Sequence, residues 1–176
     1  MRVGTLGGPV EIDVHSQEAI KVKMVDPTEY RENVEIPNIN DQTLRTAFIN
    51  TGVPHVVIFT EKLEEAPVVE LGRAIRYHKV FQPRGANVNF VEVTGKNSLS
   101  VRTYERGVEA ETLACGTGSV AAAIIANLDG KVGAPVEVLP RSGEELKVSF
   151  HRSGNKITNV YLEGPARETS EGYLKI

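Results

Sequence analysis

The stretch Cys115-Gly116-Thr117-Gly118-Ser119-Val120-Ala121-Ala122-Ala123-Ile124-Ile125-Ala126 decides the fold. From about Gly118 to Leu128 it reads as a helix that is apolar all round, and a helix with no polar face has to be surrounded by protein. Asn127, Asp129 and Gly130 end it. Its small alanine side chains let neighbouring elements come close, so the rest of the chain must supply an enclosing layer.

That layer is made of strands. Val10, Ile12 and Val14 alternate with Glu11 and Asp13, and Ile20, Val22 and Met24 alternate with Lys21 and Lys23. The same period of two recurs at Leu99-Val101-Thr103, Val136-Val138 and Leu146-Val148-Phe150, with a last run over residues 157–162 before Gly164-Pro165. Arg141-Ser142-Gly143 and Ser153-Gly154-Asn155 read as hairpin loops. A second helix, amphipathic, is expected from Pro67 to about Tyr77, with Val68, Leu71 and Ile75 on one face. Residues 25–42 hold Asp26-Pro27, Pro37, Asn38 and Asn40 and read as a loop or linker. Thr43 to Ile49 reads as a strand or as a short helix capped by Asp41, with strand preferred. The fold class is therefore α+β: a mostly antiparallel or mixed sheet, curled as a barrel around a central buried helix.

Composition bounds the function. With 176 residues, 40% hydrophobic and 24% charged, the chain has the make-up of a globular domain with a substantial core. A net charge of -3 gives no electrostatic footprint for nucleic acid or an anionic membrane. The longest apolar run, Val120 to Ala126, is too short to span a bilayer, and no signal-like apolar core follows Met1, so a cytoplasmic location is expected. There is one cysteine, so no internal disulfide can form and no zinc site can be built from cysteines alone.

A lone cysteine is more often a small buried hydrophobe than a reactive group. The setting of Cys115 argues otherwise. It precedes the buried helix, where unpaired backbone N–H groups and the helix dipole stabilise an anion. The thiol pKa is expected to fall below the free value of about 8.5. Amides of Gly116 to Ser119 could equally hold a substrate carboxylate or a developing enolate. The bland reading is that Gly116 and Gly118 only shape a tight turn and Cys115 packs inside. A thiolate hydrolase would need a histidine base; none lies within thirty residues of Cys115 in sequence, though His55 or His78 could approach in space. His15, His78 and His151 read as structural or solvent-facing.

Three ordered blocks carry a resemblance. They are Thr51-Gly52-Val53-Pro54-His55-Val56-Val57; Gly72 to His78 with Phe81 to Val91; and Tyr104-Glu105-Arg106-Gly107 with Glu111 to Gly118. Together with Leu162-Glu163-Gly164-Pro165-Ala166 they resemble the C-terminal half of diaminopimelate epimerases. The Cys-Gly-Thr-Gly string by itself would also suit the related proline racemases.

The resemblance implies a cofactor-independent isomerase, without pyridoxal phosphate or metal, that interconverts LL- and meso-diaminopimelate in lysine biosynthesis. Two thiols flank the substrate α-carbon, one removing a proton and the other delivering one to the opposite face. Carried over residue by residue, Cys115 is one acid/base thiol, and His55 and Glu105 support thiol chemistry. Asn87 and Arg106 bind the distal end of diaminopimelate, and Gly116 and Thr117 its reacting carboxylate. Each has a plainer alternative: His55 as a turn residue, Glu105-Arg106 as an exposed hairpin pair, Asn87 as a bend-satisfying amide. Val53 stands where many members have a substrate-binding Asn. The family's Cys-Gly-Asn-Gly motif, with the second thiol, is absent from these residues.

On that basis residues 1–36 are expected to be remnant strands of the family's first domain, 37–163 the C-terminal epimerase domain, and 164–176 a return segment. The expected partners are the missing N-terminal half or a second copy, the latter as a strand-mediated homodimer. Alone the chain is expected to be inactive as an epimerase. The alternatives are a non-catalytic domain that binds carboxylates or self-associates, a proline racemase-like enzyme, and a thiol hydrolase.

Overall fold

The computed structural model describes residues 1–5, 8–16, 19–39, 42–166 and 172. The Asp41 cap, the His15 side chain and most of segment 164–176 lie outside the described residues. The chain runs β1 (Arg2–Thr5), β2 (Gly8–Ser16), β3 (Ala19–Lys23), β4 (Thr28–Ile39), β5 (Gln42–Asn50) and β6 (Pro54–Phe59) into α1 (Val68–Arg76). Then follow β7 (Asn87–Val93), β8 (Ser98–Glu105), β9 (Ala110–Thr112), α2 (Gly116–Leu128), β10 (Val136–Pro140), β11 (Leu146–Ser153) and β12 (Lys156–Gly164).

These strands form one mixed sheet in the order β1-β2-β3-β12-β11-β10-β8-β7-β6-β5-β4, with β9 beside β8. Pairing is antiparallel except at β6/β7 and β8/β10. Parallel neighbours need crossover connections, and here α1 and α2 supply them. Both crossovers step the same way across the sheet, but from strands of opposite direction. A common crossover hand then puts the helices on opposite faces, which is where they lie.

The sheet wraps α2 on the side formed by β5–β8 and β10–β12. Val120 to Ala126 are all fully buried there against Val57, Val91, Val101, Val136, Val148 and Val160. The enclosed, Ala-lined helix is thus as the sequence implies, and the fold is α+β. The sheet is not closed into a barrel, however: β1 and β4 are its two ends among the described residues. On the other face α1 buries Val68 and Ile75 against Val56, Ile58, Val88 and Tyr104. Close approach depends on Gly72, since a Cβ there would stand 2.5 Å from Tyr104 Cβ.

Residues 28–39 correct the linker expectation, being a strand. Pro37 is tolerated because β4 pairs only with β5, so one side of its backbone has no ladder to keep. Its register shifts, with positive φ at Glu29 and Asn33, bend that edge and make it a poor template for another strand. Thr43 to Ile49 lies within β5, in line with the strand reading. The strands β1–β3 join the same sheet through the β3/β12 pairing.

Strands β6 and β7 show no clear apolar alternation because both faces are covered, one by α1 and the other by α2. Strand parity nevertheless assigns their side chains. Val56, Ile58, Val88 and Phe90 point to α1, while Val57 and Val91 point to α2. His55, Asn87 and Asn89 share the α2 parity, as do Thr103 and Glu105 on β8. The sheet therefore delivers a polar group to the start of the apolar helix.

Candidate functional site

Cys115 is the N-cap residue of α2, with extended backbone (φ -132°, ψ 105°). The first intrahelical bond runs from the Ser119 N–H to the Cys115 carbonyl at 2.8 Å. Amides of residues 116–118 have no carbonyl one turn back, and those of Gly118 and Thr117 are directed at the Cys115 sulfur. Cys115 is buried, 9% exposed, while Leu113 and Ala114 just before it are exposed.

Thr117 is fastened at both ends. Its carbonyl accepts the Thr51 hydroxyl at 3.0 Å, and its own hydroxyl lies 3.0 Å from His55 Nε2 and 3.6 Å from Cys115 Sγ. His55 is fully buried, with Nδ1 3.1 Å from the Asn89 amide nitrogen. Asn89 in turn donates to the Val56 carbonyl at 2.9 Å and accepts from the Thr103 hydroxyl at 3.0 Å. The parallel pairing of β6 and β7 sets Asn87 opposite His55, and the strand period then brings Asn89 to its ring.

Burial, and after it the positive charge of Arg106, lower the His55 pKa to about 3. The ring is therefore neutral under ordinary conditions. It reaches Cys115 only through the Thr117 hydroxyl, so it is not placed as a direct base for the thiol.

The expectation that Cys115 is acidified is overturned. Burial raises its pKa, and the Glu105 carboxylate pushes the same way; hydrogen bonds from Thr117 and Gly118 oppose this without prevailing. A helix start favours an anion, but here the sulfur has lost more solvent than the amides and hydroxyl replace.

Asn87 is occupied by the scaffold. Its amide donates to the Pro54 carbonyl at 3.1 Å and its oxygen accepts the Arg106 N–H at 2.8 Å, tying together the ends of β6, β7 and β8. Among the described residues its second amide proton has no hydrogen-bond partner. The Arg106 guanidinium donates to the Arg84 carbonyl at 3.1 Å. Glu105 ends β8 with its side chain half-buried, and Gly116 is half-buried at the first position of α2. His78 instead accepts the Val80 N–H within its own turn, away from this group.

Thr51, Asn89 and Thr103 were not singled out by sequence. Asn89 could have been: Asn87-Val88-Asn89-Phe90 places two amides on one face of a strand two residues apart. Among the described residues, no cluster of three His, Cys, Asp or Glu side chains could hold a metal ion. Nor is any of their helices long and apolar enough to cross a membrane.

A family model described as diaminopimelate epimerase matches residues 47–169. The protein named diaminopimelate epimerase from Aquifex aeolicus is 43% identical over 176 residues, covering 99% of this chain and 61% of that relative. One from Archaeoglobus fulgidus is 41% identical over 188 residues, covering 100% of this chain and 63% of the relative. The chain thus spans about three-fifths of the length of these relatives. Among solved structures, a hydroxyproline epimerase from Agrobacterium vitis with bound trans-4-hydroxy-L-proline superposes with a TM-score of 0.72 at 16% identity, over 94% of this chain and 56% of that one. A PhzF-family phenazine biosynthesis protein from Bacillus anthracis gives 0.63 at 12% identity, over 93% and 64%. At such identities these two show a common fold.

Proposed function

Because the chain belongs to the diaminopimelate epimerase family of isomerases, we propose that it supplies one of two acid/base thiols, Cys115, to a cofactor-independent epimerase acting on LL- and meso-diaminopimelate. The observation that supports this most directly is the Cys115 sulfur at the start of an enclosed helix, within reach of the Thr117 and Gly118 amides and the Thr117 hydroxyl. Such a sulfur can carry a proton to or from an α-carbon, while first-turn amides stabilise charge developing on the adjoining carboxylate.

Each residue has its part in this reading. With its pKa raised, Cys115 rests as the thiol and serves as the proton donor in one direction; as thiolate it removes the proton in the other. Gly116 and Thr117 hold the reacting carboxylate. Arg106 and the free amide proton of Asn87 address the distal amino-acid end, where Val53 offers no polar contact. Glu105 and His55 set the proton affinity and orientation of the thiol.

One thiol returns a proton to the face it came from, which exchanges the α-hydrogen without inverting the centre. Inversion requires a second thiol, which the residues beyond these 176 would supply. The test is to follow α-hydrogen exchange and inversion of diaminopimelate in D2O. The chain is assayed alone, then mixed with the separately expressed remainder of the Aquifex aeolicus relative. Inversion is expected only in the mixture and only with Cys115 intact. Confirmed association without inversion, or inversion surviving Cys115→Ser, would sink the assignment.

A further inference from the structure

The hydrogen bonds behind Cys115 run in one direction, and the reason lies four groups away. The Val56 carbonyl can only accept, so the Asn89 atom 2.9 Å from it is the amide nitrogen. On the other side the Asn89 oxygen takes the Thr103 hydroxyl proton at 3.0 Å, as that orientation requires. That NH2 also faces His55 Nδ1 at 3.1 Å. A donor facing Nδ1 requires Nδ1 to accept, so the neutral ring carries its proton on Nε2.

Nε2–H then donates to Thr117 Oγ1 at 3.0 Å. The Thr117 hydroxyl, accepting from the ring, keeps its own proton free to donate, and Cys115 Sγ lies 3.6 Å away, where a thiolate can only accept it. With the opposite tautomer the sequence would reverse: Thr117 would donate to Nε2 and turn its lone pairs towards the sulfur. Buried Asn89, oriented by the Val56 carbonyl, thus determines what the sulfur sees, although it does not touch it.

We propose that Asn89 is a positioning residue which, by holding His55 in its Nε2–H tautomer, turns the Thr117 hydroxyl proton onto Cys115 and selectively supports the thiolate. The inference rests on the reading of Cys115 as an acid/base thiol, since a sulfur that changes protonation at every turnover gains from a donor that strengthens when it is charged. An imidazolium in this place would set Nδ1–H against the Asn89 NH2, and burial with the Arg106 charge keeps the ring neutral, so mild acid does not scramble the relay. Thr51, holding the Thr117 carbonyl, keeps the hydroxyl between ring and sulfur.

The test uses the 176-residue chain and reads no turnover. Nitrogen-15 spectra of the imidazole should show Nε2 protonated and Nδ1 bare for His55, without titration between about pH 5 and pH 9. The rate of Cys115 alkylation by iodoacetamide, followed against pH, should fall about ten-fold at mildly alkaline pH in Thr117→Val. Thr117→Ser, which keeps the hydroxyl, should restore it. Asn89→Leu should lose the single tautomer and match Thr117→Val in alkylation. If that variant does not fold by circular dichroism, the wild-type spectrum and the Thr117 pair decide the matter. An Nδ1–H tautomer in the wild type, or superimposable profiles for Thr117→Val and wild type, overturns the proposal. Since none of these readouts involves diaminopimelate, the relay and the epimerase assignment stand or fall separately.

Discussion

Gly118 lies so close beneath Asn89 that a Cβ at position 118 would overlap the Asn89 amide oxygen and stand 3.2 Å from the Cys115 sulfur. The helix start and the polar group of the sheet are thus fitted to one another through a missing side chain. Alanine ordinarily favours a helix over glycine by about 1 kcal/mol. In Gly118→Ala that gain is outweighed, because Asn89 is clamped by Val56 and Thr103 and has nowhere to go. A net loss of roughly 1–3 kcal/mol is expected, measured by urea denaturation, as for other overpacked sites. A stabilised variant would show that the helix start shifts freely.

His55 gives stability a pH dependence in a window of its own. Unfolded, its ring takes up a proton near the ordinary value of about 6.5. Folded, it does so only at about 3. Between these values the unfolded chain binds the extra proton, so acidification lowers stability, by up to roughly 1.4 kcal/mol per pH unit. The contribution is fully retained above the unfolded value. His55→Gln should flatten the dependence of the urea midpoint between about pH 6.5 and pH 4.5. An unchanged slope in that variant would place the titrating group elsewhere.

Cys115 should react sluggishly. Its thiol titrates above the ordinary cysteine range because of burial and the Glu105 charge, so iodoacetamide should modify it more slowly at neutral pH than a free cysteine. Removing the charge in Glu105→Gln should speed alkylation about three-fold at the same pH, by relieving repulsion of the thiolate. A slower reaction in Glu105→Gln would mean that the carboxylate supports the sulfur in another way.

A structural clamp governs the acid side. Arg102 Nε and Nη2 donate to the two Glu111 oxygens at 2.7 and 2.9 Å, while Nη1 serves the carbonyls of Leu63 and Glu64. The side chains are only 11% and 15% exposed. Arg102→Leu should cost about 2–4 kcal/mol, since it strands a carboxylate and two carbonyls. Arg141, 3.5 Å from Glu111, keeps the loss towards the lower end. The Glu111 pKa is lowered chiefly by its hydrogen bond from Arg102. Its contribution is therefore present above about pH 4.5 and lost as pH falls through the lowered folded value. The variant should show a shallower acid decline below about pH 4.5 in a stability titration.

Some of this protein is determined by sequence alone. Ala121-Ala122-Ala123-Ile124-Ile125-Ala126 has no side for water, so enclosure of α2 follows from composition. The Cys115 position at its start is equally local, as are the hairpins after β10 and β11 with their turn residues. Other features belong only to the tertiary structure. Residues 28–39 become a strand because β5 is there to pair with, and edge pairing tolerates the Pro37 that a linker reading stressed. His55, Asn89 and Thr117 lie far apart along the chain. They meet because parallel pairing of β6 with β7 sets a register and α2 begins beside it. The direction of the Cys115 shift was decided there too. A helix start by itself argues for an acidic thiol, and only the packing of strands and Glu105 around the sulfur reveals that desolvation outweighs the amides. Local periodicity records which faces are apolar; the balance of solvent lost against hydrogen bonds gained exists only once those faces have closed on one another.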